Sequence, residues 1–241
     1  MKILQGPGPV SVCVVCCPHG DELIGEVIFQ HYAPLISQTP GLRLIFANQS
    51  AHSQGRRFID TDLNRSFPGS PTGSHEEQLA AAMMPSLTDA DYVLDLHTTT
   101  SNITMTPIVA NLAAGTRAVL NLTDSPEIAL MENGIANHAL IGQVAAGVSL
   151  EFNRTYATTP AARDHIITIV TALLTGQPRP ARPRRVFHIT GTIPASQPLP
   201  SGAANFTPSG YPPVYPFLLG EKAYADSFHA FAATAISDEI I

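Results

Sequence analysis

Apolar positions along this chain come in two rhythms. Residues 10–17 form an unbroken β-branched and apolar run, the pattern of a strand covered on both faces. After Pro18-His19-Gly20, residues 22–36 carry Leu23, Val27, Ile28 and Leu35 at roughly helical spacing. Residues 42–47 read as a second strand and 92–96 as a third, with a helix over 76–84 between them. Residues 103–110 and 147–152 are further strand candidates, and 161–174 form an amphipathic helix. Short apolar strands alternating with helices predict an α/β fold, a sheet flanked by helices. Ligands of such sheets sit beyond the carboxyl ends of the strands.

The rhythm breaks at Gly176-Gln-Pro-Arg-Pro-Ala-Arg-Pro183, a stiff proline-rich linker. Beyond it, residues 184–193 look extended, 194–216 are dense in proline, glycine and serine, and 223–235 read as a helix. The expected organisation is an α/β domain over 1–177 and a small β-rich C-terminal domain over 178–241.

Composition narrows the function classes. With 44% hydrophobic residues, the 241-residue chain buries a core and is not disordered. A net charge of −6 argues against nucleic acid or an anionic membrane surface as partner. No apolar run approaches membrane-spanning length, and the first nine residues hold no secretory leader. Cys13 and Cys16 have the spacing of a redox pair, but that motif needs an exposed helix start, whereas these lie inside a strand. With Cys17 they read as buried, reduced thiols, which suits a cytoplasmic protein. Lys2 and Lys222 are the two lysines, so nearly all positive charge is arginine, the residue suited to forked recognition of carboxylates.

Three segments place polar groups where strands should end. His19 and Glu22 stand three apart at a strand-to-helix turn, and both can face one point. An imidazole and a carboxylate are good zinc ligands; the bland alternative is a helix N-terminus carrying the acids its dipole favours. In Tyr92-Val-Leu-Asp95-Leu-His97-Thr-Thr-Thr-Ser101, a strand runs into a histidine and a hydroxyl-rich loop, with Asp95 and His97 on one side. His19, Glu22 and His97 together would leave a fourth metal position open, as in catalytic sites. The third segment, residues 56–67, sets Arg56, Arg57 and Arg65 with Asn64 around Asp60 and Asp62. It reads either as a carboxylate clamp with a carbonyl polariser or as a solvated loop of local ion pairs.

In this order, His19-Gly-Asp-Glu22, Arg57-Phe-Ile-Asp-Thr-Asp62-Leu-Asn64-Arg65, Asp95-Leu-His97 with its hydroxyl-rich loop, Gly147-Val-Ser-Leu-Glu151 and Pro213-Val-Tyr215-Pro-Phe217 resemble the motifs of the aspartoacylase and succinylglutamate desuccinylase family, relatives of the zinc carboxypeptidases. The resemblance implies a mixed sheet flanked by helices, zinc carboxypeptidase-like, with a small β-rich C-terminal domain completing the site. It implies one Zn²⁺ per subunit held by His19, Glu22 and His97. Glu151 would be the general base toward the attacking water and then protonate the leaving amine. Arg57 would polarise the scissile carbonyl, Asn64 and Arg65 would hold the substrate α-carboxylate, and Tyr215 would reach in from the second domain.

The implied activity is hydrolysis of a linear amide in an N-acyl amino acid, with N-acetyl-L-aspartate as the leading candidate substrate. The alternatives are a desuccinylase, a zinc carboxypeptidase and a non-catalytic small-molecule binding module; homo-oligomerisation is left open. One departure bears on specificity. The stretch 133–142, where aspartoacylase carries a tyrosine and an arginine for a side-chain carboxylate, has neither; His138 is the nearest cation in it and Arg154 follows Glu151.

Overall fold

A computed structural model of the chain describes residues 1–177, 179–210 and 212–241. The proline-rich linker and the loop-rich stretch 194–216 each contain one residue outside that set. Among the described residues, ten strands form one sheet: β1 (Lys2–Gln5), β2 (Val12–Cys16), β3 (Leu42–Phe46), β4 (Tyr92–Thr99), β5 (Met105–Val109), β6 (Glu127–Met131), β7 (Gly147–Asn153), β8 (Pro183–Pro194), β9 (Tyr215–Phe217) and β10 (Phe228–Ile240). Their order across the sheet is β1-β3-β2-β4-β7-β5-β6-β8-β10-β9. β3, β2, β4 and β7 run parallel, β5 is antiparallel to β7, and β8, β10 and β9 pair antiparallel, so the sheet is mixed.

The helices are α1 (Leu23–Tyr32), α2 (Gln49–Ser53), α3 (His75–Thr88), α4 (Ala114–Leu122), α5 (Arg154–Ala157) and α6 (Pro160–Thr175). Every residue of β2 is buried because the strand is covered on both faces. Val12, Val14 and Cys16 pack with Ile24 and Ile28 of α1 and Ile166 and Ile169 of α6. Cys13 and Val15 face the opposite core, built from Leu79, Met83 and Leu87 of α3. The three cysteines are free and buried, and burial pushes the Cys13 thiol up to about 12. That excludes a reactive thiolate there.

The chain leaves β2 toward β3 on one side, then crosses back through α3 to β4 on the other. The crevice beyond the carboxyl ends of β2 and β4 is therefore a topological switch point, the place where such sheets bind ligands. β6 joins β8 in parallel register, and the C-terminal strands continue the sheet from there.

Two sequence expectations change. Residues 223–235 are not a helix: a short 3-10 turn over Lys222–Tyr224 leads into β10. Alanine's helix propensity is overridden there because β10 lies between β8 and β9 and its backbone completes both ladders. The helix expected over 22–36 ends at Tyr32, because Pro34 allows only a 3-10 continuation over Ala33–Gln38. No helix among the described residues is long and apolar enough to cross a membrane.

Candidate active site

The turn after β2 carries the first two site residues, and its glycine is dictated by space. A Cβ on Gly20 would fall 2.3 Å from the backbone nitrogen of His52 and 2.5 Å from the carbonyl oxygen of Arg56. Only glycine lets the turn lie against the loop that bears Arg57, and the Gly20 N–H donates to the Arg57 carbonyl at 2.9 Å. His19 and Glu22, both almost fully buried, meet with His19 Nδ1 2.9 Å from Glu22 Oε1. His97, near the end of β4, brings its Nδ1 to 3.1 Å from Glu22 Oε2.

The outer nitrogens of both imidazoles are held by carboxylates. His19 Nε2 lies 3.0 Å from Asp62 Oδ1, and His97 Nε2 lies 2.7 Å from Asp95 Oδ2. Flanked this way, each ring has its pKa pulled two ways. Burial lowers it, but Glu22 with Asp62 around His19, and Asp95 with Glu22 around His97, outweigh burial and raise it. Burial likewise opposes ionisation of Glu22 and Asp62, and the neighbouring imidazoles hold both carboxyls well below the usual range.

The residues fit a divalent metal. One ligand atom from each of His19, Glu22 and His97 lies within 4.8 Å of the others. Glu22 Oε2 is buried and, although His97 Nδ1 lies 3.1 Å away, makes no well-aligned hydrogen bond. A cation among the three would replace the Nδ1 protons that otherwise face the carboxylate, while Asp62 and Asp95 keep both rings oriented from behind.

Glu151 stands on β7 directly beside His97 in the parallel ladder. It lines the same cavity, is 8% exposed, and its carboxylate has no hydrogen bond to protein among the described residues. Burial pushes its carboxyl up to about 7, with His97 opposing and Glu22 and Glu221 adding to the shift. Arg57 also lines the cavity, donating from Nη2 to Asp62 Oδ2 at 3.1 Å, with Nη1 3.6 Å from Glu22 Oε1. Although burial opposes its charge, those two carboxylates hold it permanently cationic.

Asn64 and Arg65 reach the cavity from a 3-10 turn over Leu63–Arg65. Asn64 has protein partners: Nδ2 lies 2.8 Å from His97 Nε2 and donates to Asp95 at 3.3 Å, and Oδ1 accepts from the Leu140 N–H at 3.2 Å, which ties the site to the wall at 136–142. Arg65 is exposed, donates to the Tyr224 hydroxyl at 3.3 Å and lies 5.7 Å from that ring's centre.

Tyr215 is not brought to the site. It sits on β9 opposite Ala233, its ring 5.7 Å from that of Phe187, and the cavity tyrosine is Tyr224. Sequence reading also missed Glu221, a buried carboxylate at the cavity edge. It accepts from the Thr99 hydroxyl, from the Thr100 N–H at 2.6 Å and from the Ala223 N–H at 2.9 Å. These donors outweigh burial and hold it below the usual carboxylate range. The available signal was the pairing of a hydroxyl-rich loop after β4 with an isolated Glu221-Lys-Ala-Tyr224 beyond the proline-dense stretch.

The remaining wall is apolar, formed by Ile108, Met131, Ile135, Ala136, Ala139 and Ile141. Neither cation considered from sequence reaches it. His138 is exposed, its Nδ1 3.0 Å from the Phe67 carbonyl, and Arg154 pairs with Asp21.

Residues 9–170 match the model of the succinylglutamate desuccinylase/aspartoacylase catalytic domain. An N-acyl-aromatic-L-amino acid amidohydrolase (carboxylate-forming) from Xenopus tropicalis is 30% identical over 156 residues, which is 58% of this chain and 49% of that protein. A probable aspartoacylase from Trichodesmium erythraeum is 32% identical over 115 residues, 42% of this chain and 39% of that one. The matches thus span about half or less of those curated relatives. The crystal structure of murine aminoacylase 3 superposes with a TM-score of 0.77 at 19% identity, covering 97% of each chain, and shares the fold. With the family model matching most of its length, the chain belongs to the succinylglutamate desuccinylase/aspartoacylase family.

Proposed function

We propose that this protein is a zinc-dependent amidohydrolase that removes the acyl group from an N-acyl amino acid whose side chain is apolar. The observation that carries the reading is the buried His19, Glu22 and His97 cluster beside Glu151 in one cavity with Arg57 and Arg65. Held by those three ligands, zinc would lower the pKa of water to about 7 and act as a Lewis acid on the amide carbonyl.

The chain's own groups account for the rest. Glu151 takes the proton of the attacking water and returns it to the leaving amine, a task suited to a buried carboxyl that lines the cavity without a side-chain partner. Arg57 supplies fixed positive charge where the carbonyl oxygen becomes an oxyanion. Arg65, with Tyr224 beside it, binds the substrate's α-carboxylate in place of the Tyr215 contact expected from sequence. Asp62 and Asp95 hold the two imidazoles in register. The C-terminal residues from 178 onward complete the cavity through Leu218, Glu221, Tyr224 and Phe231.

Two observations favour an apolar side chain over aspartate. The wall at 131–141 has no cation to neutralise a second carboxylate, and burying one there unpaired costs several kcal/mol. The Xenopus relative is named for aromatic substrates. Buried, reduced cysteines suit work in the cytoplasm. The test is a hydrolysis screen of N-acetyl-phenylalanine, N-acetyl-leucine, N-acetyl-aspartate, N-succinyl-glutamate and a blocked dipeptide, each with added zinc and with chelator. We expect the apolar N-acetyl amino acids to be cleaved fastest and chelation to abolish turnover. N-acetyl-aspartate as best substrate would overturn the side-chain assignment, dipeptide cleavage would favour a carboxypeptidase, and no turnover with zinc would leave a binding module.

A further inference from the structure

The loop from 54 to 62 has no regular secondary structure, yet it delivers Arg57 and Asp62 to the site. Something must hold it. Glu76, in the first turn of α3, is fully buried with its carboxylate turned away from its own helix. Oε1 accepts from the Ile59 N–H at 2.7 Å and from Asn48 Nδ2 at 3.0 Å. Oε2 accepts from the N–H groups of Asp60 at 3.0 Å and Thr61 at 3.1 Å. Capping of α3 is left to Ser74 and Glu77, so Glu76 is not serving its own helix terminus. No cation pairs with it among the described residues; four N–H donors alone balance the buried charge.

We propose that Glu76 is a positioning residue for the reaction, its carboxylate clasping the turn 59–61 and so fixing Arg57 and Asp62 against His19. The clasp acts at both ends of a short segment. On one side the Arg57 carbonyl accepts from Gly20 N–H in the turn that bears His19, and on the other Asp62 receives the Arg57 guanidinium and faces His19 Nε2. Asp60 returns the contact by accepting from the His75 N–H at 2.9 Å. A glutamine keeps the shape but turns one acceptor into a donor, leaving N–H groups of the loop unpaired. The loop would then relax, displacing the oxyanion cation, a shift that costs rate more than substrate affinity.

This inference rests on the amidohydrolase reading, so its test has an arm independent of turnover. In zinc-loaded protein, Glu76→Gln should lower kcat about 10–100-fold with KM within about threefold, and Glu76→Asp, which keeps the charge, should recover part of the loss. Amide hydrogen exchange should show protection lost at residues 59–61 while β2 and β4 keep theirs. Leu173→Ala in α6 is the stability control: it should lower Tm and leave kcat within about twofold. A Glu76→Gln protein with lower Tm but unchanged kcat, or with residues 59–61 still protected, overturns the proposal. If Glu76→Gln does not fold, Glu76→Asp is judged by the same two readouts. Wild-type protein that cleaves no N-acyl amino acid fails the amidohydrolase reading instead, and exchange at 59–61 still decides the clasp.

Discussion

Asp95 Oδ2 lies 2.7 Å from His97 Nε2, and Asp95 is fully buried two positions before the histidine on the same strand. The carboxylate thus orients the ring from behind while Nδ1 is turned to Glu22. Asp95→Asn should weaken zinc binding about 10–100-fold, measured by competition with a chromogenic chelator. Unchanged affinity would remove Asp95 from the support of the metal.

Glu151 is placed for proton transfer and is not one of the three clustered ligands. Glu151→Gln should therefore keep its zinc while kcat falls by about 10²–10⁴. Metal content by elemental analysis and turnover on the same sample separate the two outcomes, and near-normal kcat would end the assignment.

Arg65 and Tyr224 meet 159 positions apart in the chain. Arg65→Ala should raise KM for substrates with a free α-carboxylate far more than for their esters or amides. Tyr224→Phe should raise it by a smaller factor, and Tyr215→Phe should leave kcat and KM unchanged. The reverse ranking of the two tyrosines would restore the sequence-based assignment.

The apolar wall offers a change of substrate. Ile135, half-buried at the cavity, is in the stretch where the sequence lacks the second carboxylate receptor. Ile135→Arg should shift the ratio of kcat/KM for N-acetyl-aspartate over N-acetyl-leucine upward by about tenfold or more. A ratio that does not move would place the substrate side chain elsewhere.

Glu76 also makes stability depend on pH. Burial opposes its charge, but the donations from Ile59, Asn48, Asp60 and Thr61 outweigh it and hold its pKa below the ordinary 4.5. A folded-state pKa below the unfolded one contributes stability that is present above the unfolded value and lost as pH falls. The Tm gap between wild type and Glu76→Gln should be widest near neutrality, where it reflects about 1–3 kcal/mol, and should close below about pH 4.5. A gap that stays constant across that range would contradict the clasp as a charged one.

Much of the His19, Glu22 and His97 cluster was legible because its residues sit at strand ends. The run into Cys17, the glycine after His19 and the alternation of Asp95 and His97 each follow from local geometry that one-dimensional pattern preserves. β6 and α4 were passed over, as was the role of Glu221, because their meaning lies in partners far along the chain. The hydroxyl-rich stretch after His97 lines the cavity through Thr98 and also grips the C-terminal segment, with Ser101 donating to the Leu219 carbonyl and Thr99 and Thr100 donating to Glu221. Tyr215 is what the resemblance of Pro213-Val-Tyr215-Pro-Phe217 implies, whereas Tyr224 meets Arg65 only through a contact 159 positions apart in the chain.

The three candidate metal ligands are in place by residue 97, whereas the apolar wall comes from β5, β6 and the segment after it, and further lining residues come from 218–231. The candidate ligands and the side-chain wall thus lie on separate lengths of polymer. On the proposed reading, randomising 131–141 in a laboratory library while keeping Glu151, Glu221 and Tyr224 would explore new substrates without touching the proposed catalytic groups.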